Sequence, residues 1–271
     1  MKKIFAIICI LFTFASCETV VDIPLKNEEP RLVIDAIIKW QKGTVGNNQT
    51  IRLSLTNDFY TNEVVPATGA TITITDSNSN VFNFTESNQG EYTCTNFNPV
   101  INESYTLLVT YKGENYTATN KLYETPTIIN FQQETVPGFG GDAIQIKFFY
   151  QDNGQEDNYY LVGVKDPNKQ RPQFGAVRDE FFQGNIMFGL YRNDEIKSGD
   201  NILFSLQGIS LGYFNYMEKL IDISGGQGGG NPFSTPPASL RSNIINNTNN
   251  ENYPLGYFHL SEIDERSYVV Q

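Results

Sequence analysis

The side chains that most often carry catalytic chemistry are scarce in this chain. His259 is the only histidine, and it lies in the strand-like run L-G-Y-F-H-L with no nucleophile-elbow serine nearby. Cys94 alternates with Tyr92 in E-Y-T-C-T, which predicts a buried thiol on the inward face of a strand. The sequence therefore disfavours Ser-His-Asp, Cys-His and zinc chemistry.

Carboxylates are the remaining candidates for chemistry. The pairs Asp179–Glu180 and Asp194–Glu195 could serve a glycosidase-like hydrolase, although an acidic β protein offers many such pairs. Asp152, Glu156 and Asp157 crowd into one predicted hairpin connection, where they could bind a hard cation. A solvated turn is the commoner outcome for such a cluster. We therefore expect a non-enzymatic protein without a metal or other cofactor.

The N-terminus has the pattern of an export signal. Two lysines precede an apolar run, Ile4 to Phe14, which is too short to cross a bilayer as a helix, and A-S-C follows it. This pattern predicts a lipoprotein signal peptide over residues 1–16 and acylation of Cys17, with palmitate among the attached chains. The alternative is a plain secretory signal that is cut near Ala15.

Charge limits the choice of partners. The formal net charge is −11 at pH 7, with 30 acidic and 19 basic side chains. Nucleic acid and anionic lipid both attract Lys/Arg-rich surfaces, so this composition argues against either as an electrostatic partner. The membrane is instead expected to be reached through the lipid on Cys17, with residues 17–29 as a tether.

Beyond the tether, the chain is predicted to be all-β. Seven segments of period-two alternation between residues 30 and 125, separated by Gly, Asn, Asp and Pro clusters, predict an immunoglobulin-like β-sandwich domain. Residues 126–271 predict a second, mainly β domain. Its strands include 255–260 and 266–270, and residues 152–158 are predicted to join two of its strands as a hairpin.

One segment of the second half has helical rather than alternating periodicity. Tyr213, Tyr216, Met217 and Leu220 recur at helical spacing after a potential N-cap at Ser210, which predicts one short helix. The helix is followed by a Gly/Pro-rich loop over residues 225–237, which cannot form a regular element.

Aromatic residues in loops are the candidates for partner contact. Phe233 lies in the Gly/Pro-rich loop, where a flexible glycine run precedes stiff prolines and could present the ring. Phe59 and Tyr60 lie in a loop of the first domain. The alternative for each ring is burial against its own domain.

Several segments in a fixed order give the chain a family resemblance. They are the lipoprotein start, P-A-T-G-A-T-I-T-I-T-D-S-N-S-N at 66–80, G-E-Y at 90–92, S-Y-T-L-L-V at 104–109, and G-G-G-N-P-F…N-I…L-G-Y-F at 228–258. The sequence resembles an uncharacterised family of Bacteroidota outer-membrane lipoproteins. Members are encoded beside TonB-dependent receptors with a carboxypeptidase-like domain, and the resemblance implies a prealbumin-like sandwich for the first domain.

The resemblance implies location and partnership rather than chemistry. The expected function is that of a lipid-anchored outer-membrane protein at the cell surface, which assists a TonB-dependent transporter or captures its ligand. The ligand is not indicated by the sequence. An adhesin or structural surface lipoprotein is the alternative, and a carboxylate-based hydrolase is the third hypothesis.

Overall fold

The computed structural model describes residues 29–58, 61, 63–138, 141–224 and 240–271. These residues form sixteen strands and one helix, so the predicted all-β class with one short helix is confirmed for the described part of the chain. The seven alternating segments predicted in the first half are all strands.

Eight of the strands close into a barrel. They are β1 (Leu32–Gln41), β2 (Gln49–Leu55), β4 (Thr71–Asp76), β5 (Val81–Asn88), β6 (Glu91–Cys94), β7 (Ser104–Tyr111), β8 (Glu114–Tyr123) and β16 (Leu255–Val269). Around the barrel the order is β16-β1-β2-β6-β5-β4-β7-β8, and β8 pairs again with β16. Two-residue strands β3 (Val65–Pro66) and β15 (Ile245–Asn246) pair with β2 and β8.

The barrel interior is a packed core. Alternate residues of each strand point inward, as in β1, where Leu32, Ile34, Ala36 and Ile38 are buried and the residues between them are not. Large rings fill the centre, and Cys94 lies among them as predicted. Because the thiol is buried, its pKa is raised, which suits an inert core position.

The predicted immunoglobulin-like or prealbumin-like sandwich, followed by a separate β domain, is wrong. A sandwich of seven local strands would leave β1 and β8 with free edges. Here β16 pairs in parallel with β1 from Val33↔Leu255 onward and with β8 at Leu260↔Leu122, which joins the two edges. Closing the barrel with β16 removes both edges from solvent.

The second half of the chain forms two facing sheets. One contains β11 (Tyr159–Lys165), β12 (Gln173–Arg178), β14 (Asn201–Ile209) and the C-terminal part of β16; the other contains β9 (Ile128–Pro137), β10 (Asp142–Gln151) and β13 (Ile186–Asn193). Between the sheets, Phe148 and Phe204 lie with ring centroids 5.4 Å apart in a core of aromatic and aliphatic side chains.

Strand β16 belongs to both halves. It pairs with β1 as far as Gln41↔Ile263 and with β14 from Gln207↔Ile263 onward, so Ile263 marks the change of partner. The prediction of two separate strands, 255–260 and 266–270, is therefore wrong. Of the intervening residues, 261–264 are buried and Glu265 is exposed, all within one continuous strand. The division of the chain at residues 125 and 126 stays a prediction.

Buried polar side chains join the connection after β8 to this shared strand. The Thr125 hydroxyl donates to the Glu262 carbonyl oxygen at 2.6 Å and accepts from the Gly208 amide at 2.7 Å. The Asp264 carboxylate accepts from the Ile128 amide at 2.7 Å. These bonds satisfy groups that would otherwise be buried without partners, so the sequence tolerates polar residues here.

Residues 152–158 do not form the predicted hairpin. They leave β10, which pairs with β9 and β13, and enter β11, which pairs with β12 and β14. The segment therefore crosses from one sheet to the other. Alternation and turn residues predict strands and a break between them, but they do not distinguish a hairpin from a crossing between sheets.

The predicted helix is present as α1 (Leu211–Ile223). Ser210 is its N-cap, and the Ser210 hydroxyl accepts from the Tyr213 amide at 3.0 Å. Tyr213, Phe214 and Met217 are buried against residues that include Leu161, Ile209 and Tyr257, while Tyr216 and Leu220 are partly buried. Within the described ranges, no helix has the length and apolarity needed to cross a bilayer.

Candidate ligand groove

A groove of about 560 Å³ lies between α1 and the outer surface of the barrel. We call it the helix groove. Its barrel side is formed by residues of β1 and β2 that point away from the core, because the alternate residues fill the barrel. The charged, aromatic and larger apolar side chains that line it include Asp35, Lys39, Arg52, Phe174, Tyr213, Tyr216, Met217, Leu220 and Tyr257.

Three tyrosines form the aromatic wall of the helix groove. Tyr213 and Tyr216 come from α1 and Tyr257 from β16. Ring centroids are 4.7 Å apart for Tyr216–Tyr257 and 5.0 Å apart for Tyr213–Tyr257. Their mutual packing fixes the rings, so the wall is formed before any ligand arrives, as is usual for small-molecule sites.

Opposite charges lie on the barrel side of the helix groove. Asp35 on β1 is paired with Arg52 on the neighbouring strand β2. Lys39 follows on the same outer face of β1, toward its C-terminal end. Burial raises the pKa of the Asp35 carboxyl, while the charges of Arg52 and Lys39 act in the opposite direction. No hydrogen bond to the Asp35 carboxylate is found within the described residues, which leaves it available to a ligand.

The single histidine lies behind this wall rather than in the groove. His259 is fully buried and stacks on Tyr213 with ring centroids 4.2 Å apart. Burial lowers the pKa of the imidazole to about 3, so it is neutral at physiological pH. Its role is to support the Tyr213 ring, and it is poorly suited to act as a general base.

The predicted contact and lipidation residues fall outside the described residues. These are Cys17, Phe59, Tyr60 and Phe233, together with the signal peptide, nearly all of the 17–29 tether and the 225–237 loop. Their roles stay predictions. Residues 225–237 follow α1 in the sequence.

The three predicted cation ligands do lie together. Asp152, Glu156 and Asp157 line a second, polar cleft of about 590 Å³, where the barrel loops meet the β10–β11 connection. The Asp152 side chain is buried, and its carboxylate accepts from the Tyr160 hydroxyl at 2.5 Å and from the Gly184 amide at 2.8 Å. In the described ranges, no three acidic, histidine or cysteine side chains converge as a metal centre.

Sequence reasoning missed the charged half of the helix groove. Alternation places Asp35 and Lys39 on the outer face of β1, but nothing local shows that a helix far along the chain covers that face. It also missed an exposed apolar row, Ile186, Phe188 and Leu190, on the outer face of β13. The alternation of large apolar residues in M-F-G-L-Y was the available signal.

Comparison with protein families identifies the chain. The family model described as "Domain of unknown function (DUF4249)" matches residues 18–267, which is nearly the whole chain. The chain belongs to this family. The match is consistent with the uncharacterised family expected from the sequence, and the comparison with curated proteins returned no match.

The similarity of this DUF4249 chain to solved structures is low. A cytokine receptor complex is 8% identical, with a TM-score of 0.25, and the match covers 65% of this chain and 82% of that chain. A two-domain fibronectin type III segment from chicken tenascin is 8% identical with a TM-score of 0.22, covering 67% and 91%. For this DUF4249 protein, function must be argued from the site itself.

Proposed function

We propose that this DUF4249 protein is a non-enzymatic, lipid-anchored outer-membrane protein of the Bacteroidota that captures a ligand for a TonB-dependent transporter. The observation that carries the proposal is the helix groove. A preformed aromatic wall faces an acidic side chain without a hydrogen-bond partner in the described residues, and both lie in a cleft of small-molecule size.

The chemistry of the helix groove favours binding over catalysis. Its aromatic rings provide apolar contact surface, while Asp35, Lys39 and Arg52 can orient a polar ligand by charge-assisted hydrogen bonds. Side chains of both kinds, aromatic and charged, line the helix groove. The histidine next to the groove is held neutral by burial, and it is not among the residues that line the groove.

The transporter part of the proposal rests on the sequence. The signal pattern ending at Cys17 supports a lipid anchor, and the resemblance described above supports an outer-membrane location beside a TonB-dependent receptor. The exposed apolar row on β13 is the described surface best suited to protein contact, because contiguous apolar residues on an edge strand favour association.

The test is affinity purification of the tagged, full-length protein from its native outer membrane after mild detergent solubilisation. We expect a TonB-dependent receptor to co-purify, and a bound small molecule to be released on denaturation. Absence of any receptor from the wild-type preparation would contradict the partnership. Recovery of the receptor without ligand, at saturating ligand supply, would contradict the capture role.

Matched variants separate the two parts of the proposal. Tyr216→Ala with Asp35→Asn should reduce the released ligand while leaving receptor recovery unchanged. Ile186→Ser should weaken receptor recovery, whereas Ile245→Ser should not, although the two isoleucines are 58% and 60% exposed. Equal receptor recovery from both isoleucine variants would exclude the β13 row from the contact.

A further inference from the structure

Two turns interlock at one end of the two-sheet half of the protein. They are the β10–β11 connection, 152–158, and the turn before β13, 179–185. The Gly184 amide donates to the Asp152 carboxylate at 2.8 Å, and the Asn158 amide donates to the Asp179 carboxylate at 2.9 Å. The turns approach so closely that a Cβ on Gly154 would lie 2.8 Å from Gly184 Cα. Each turn thus contributes one aspartate whose carboxylate is hydrogen-bonded to the backbone of the other turn.

This arrangement buries two carboxylates beside each other. Asp152 is 3% exposed and Asp179 is 1% exposed. Burial raises the pKa of Asp179, and the negative charges of Asp152 and Asp157 raise it further. No lysine or arginine in the described ranges forms an ion pair with these three aspartates. Buried carboxylates without a cation are costly, so a positive charge at this place would be stabilising.

Two further polar atoms at the same place have no partner in the described residues. The Tyr150 hydroxyl is one of them, and its side chain is fully buried. Burial raises the pKa of this hydroxyl, and the negative charges of Asp152 and Asp179 raise it further. The other is the side-chain amide oxygen of Asn158, the residue whose backbone amide donates to the Asp179 carboxylate. Unpartnered buried polar atoms are rare, and an ion or water commonly explains them.

We propose that the interlocked turns bind a hard divalent cation of the calcium type, with the Asp152 and Asp179 carboxylates and the Asn158 amide oxygen as protein ligands. Calcium takes carboxylate, amide and water oxygens together, so two acidic side chains suffice and no third is required. The hydrogen bonds from Tyr160 and Gly184 hold the Asp152 carboxylate in place, as hydrogen bonds to metal-ligating side chains commonly do. The Tyr150 hydroxyl can donate to a cation-bound water.

The competing explanation is that Asp179 holds a proton instead. Asp179→Asn imitates the protonated side chain, so under that explanation the variant would be as stable as the wild type, with or without calcium. Under the cation proposal, Asp179→Asn removes a ligand and calcium no longer stabilises the protein. Asp166→Asn is a matched control, since Asp166 is a buried aspartate whose oxygens accept from Asn168, Tyr191 and Asn193.

The experiment is calcium titration of the full-length protein, by calorimetry and by thermal unfolding in calcium or in EDTA. With calcium at about a hundred times its Kd, we expect Tm to rise by about 5–10 °C. Asp179→Asn should weaken binding at least about tenfold, and Asp166→Asn should not. Absence of binding by the wild type, or equal binding by both variants, would overturn the proposal.

A second measurement covers the case in which the aspartate variants do not fold. Terbium occupies calcium sites and luminesces when a nearby tyrosine is excited. Tyr160→Phe replaces a phenol beside the cluster with a phenyl ring that is not excited at the tyrosine wavelength, so it should lower the calcium-displaceable emission, whereas Tyr213→Phe, in the helix groove, should not. Equal emission from the two tyrosine variants would also overturn the proposal.

Discussion

The imidazole ring of His259 lies against the phenol ring of Tyr213, with the centroids 4.2 Å apart and the planes inclined by 16°. A second stacked contact joins His259 to Tyr123 at 5.9 Å. Neither imidazole nitrogen has a hydrogen-bond partner in the described residues, and burial lowers the pKa to about 3. His259 therefore serves as a neutral aromatic ring that supports the groove wall.

Replacing His259 with Phe keeps the stacking and removes two unpartnered nitrogens. The free energy of unfolding at pH 7 should therefore be unchanged or higher. Below the ordinary histidine pKa, the unfolded wild type binds a proton that the folded protein excludes, so wild-type stability should fall by up to about 1.4 kcal/mol per pH unit from this residue. The His259→Phe variant should lack this contribution of the histidine to the pH dependence of the free energy of unfolding. Urea unfolding of both proteins at pH 7, 6 and 5 measures this difference. Equal pH dependence of the two unfolding free energies would contradict a buried, neutral His259.

Thr125→Val should destabilise the protein through the junction with β16. Valine keeps the shape but leaves the buried Gly208 amide and Glu262 carbonyl without the hydroxyl that now bonds both. The cost should be about 1–3 kcal/mol, measured by urea unfolding. Thr106→Val on the exposed face of β7 is the control and should change stability by about 0.5 kcal/mol or less. Equal effects of the two variants would show that the junction bond is unimportant.

Gly208→Ala should be among the most harmful conservative changes in the described chain. A Cβ at this position would lie 1.9 Å from the Glu124 carbonyl oxygen, which is backbone and cannot rotate away. A Cβ at Gly175, on β12 of the same sheet, would meet nothing within 4 Å, so Gly175→Ala is the control. We expect a loss of about 3 kcal/mol or more for the first and little change for the second. Similar melting temperatures of the two variants would contradict the close approach.

Met217→Ala tests the packing of α1. Met217 is 7% exposed and lies over Leu161 and Tyr257, so its truncation should cost about 2–5 kcal/mol. Leu220→Ala should cost less, because Leu220 is only partly buried. Leu211, at 51% exposure, is the control and should be nearly neutral when changed to Ala. A neutral Met217→Ala variant would mean that α1 does not contribute to the core.

Cys17→Ser tests the lipid anchor predicted from the signal pattern. Without the thiol no acyl chain can be attached, so unprocessed precursor or a soluble product should accumulate. Labelling with a palmitate analogue and membrane fractionation measure the outcome. A variant that still takes up label and stays with the membrane would contradict acylation at this residue.

Local patterns predicted the strands and the helix well for a physical reason. A strand such as β4 alternates inward Ile72 and Ile74 with outward threonines, and α1 repeats its apolar face after a serine cap. In both cases, the residues that determine the element lie next to one another. The signal is therefore present in any short window of sequence.

Barrel closure and the helix groove could not be predicted in this way. Closure depends on Leu260 pairing with Leu122, and the groove depends on α1 lying opposite Asp35, so each joins residues far apart in sequence. Polar residues added to the difficulty. Ser261, Glu262 and Asp264 interrupt the apolar pattern between residues 260 and 266, whereas their partners across the junction allow them to be buried in a strand.

The shared strand has a consequence for the order of folding. β16 follows every other described strand in the sequence, yet the barrel cannot close between β1 and β8 until it arrives. During folding, the preceding strands therefore have two open edges until β16 pairs with them, and open edges favour aggregation. Residues 30–125 alone would lack the strand that completes their barrel, so a fragment of that length should aggregate rather than fold as a closed barrel.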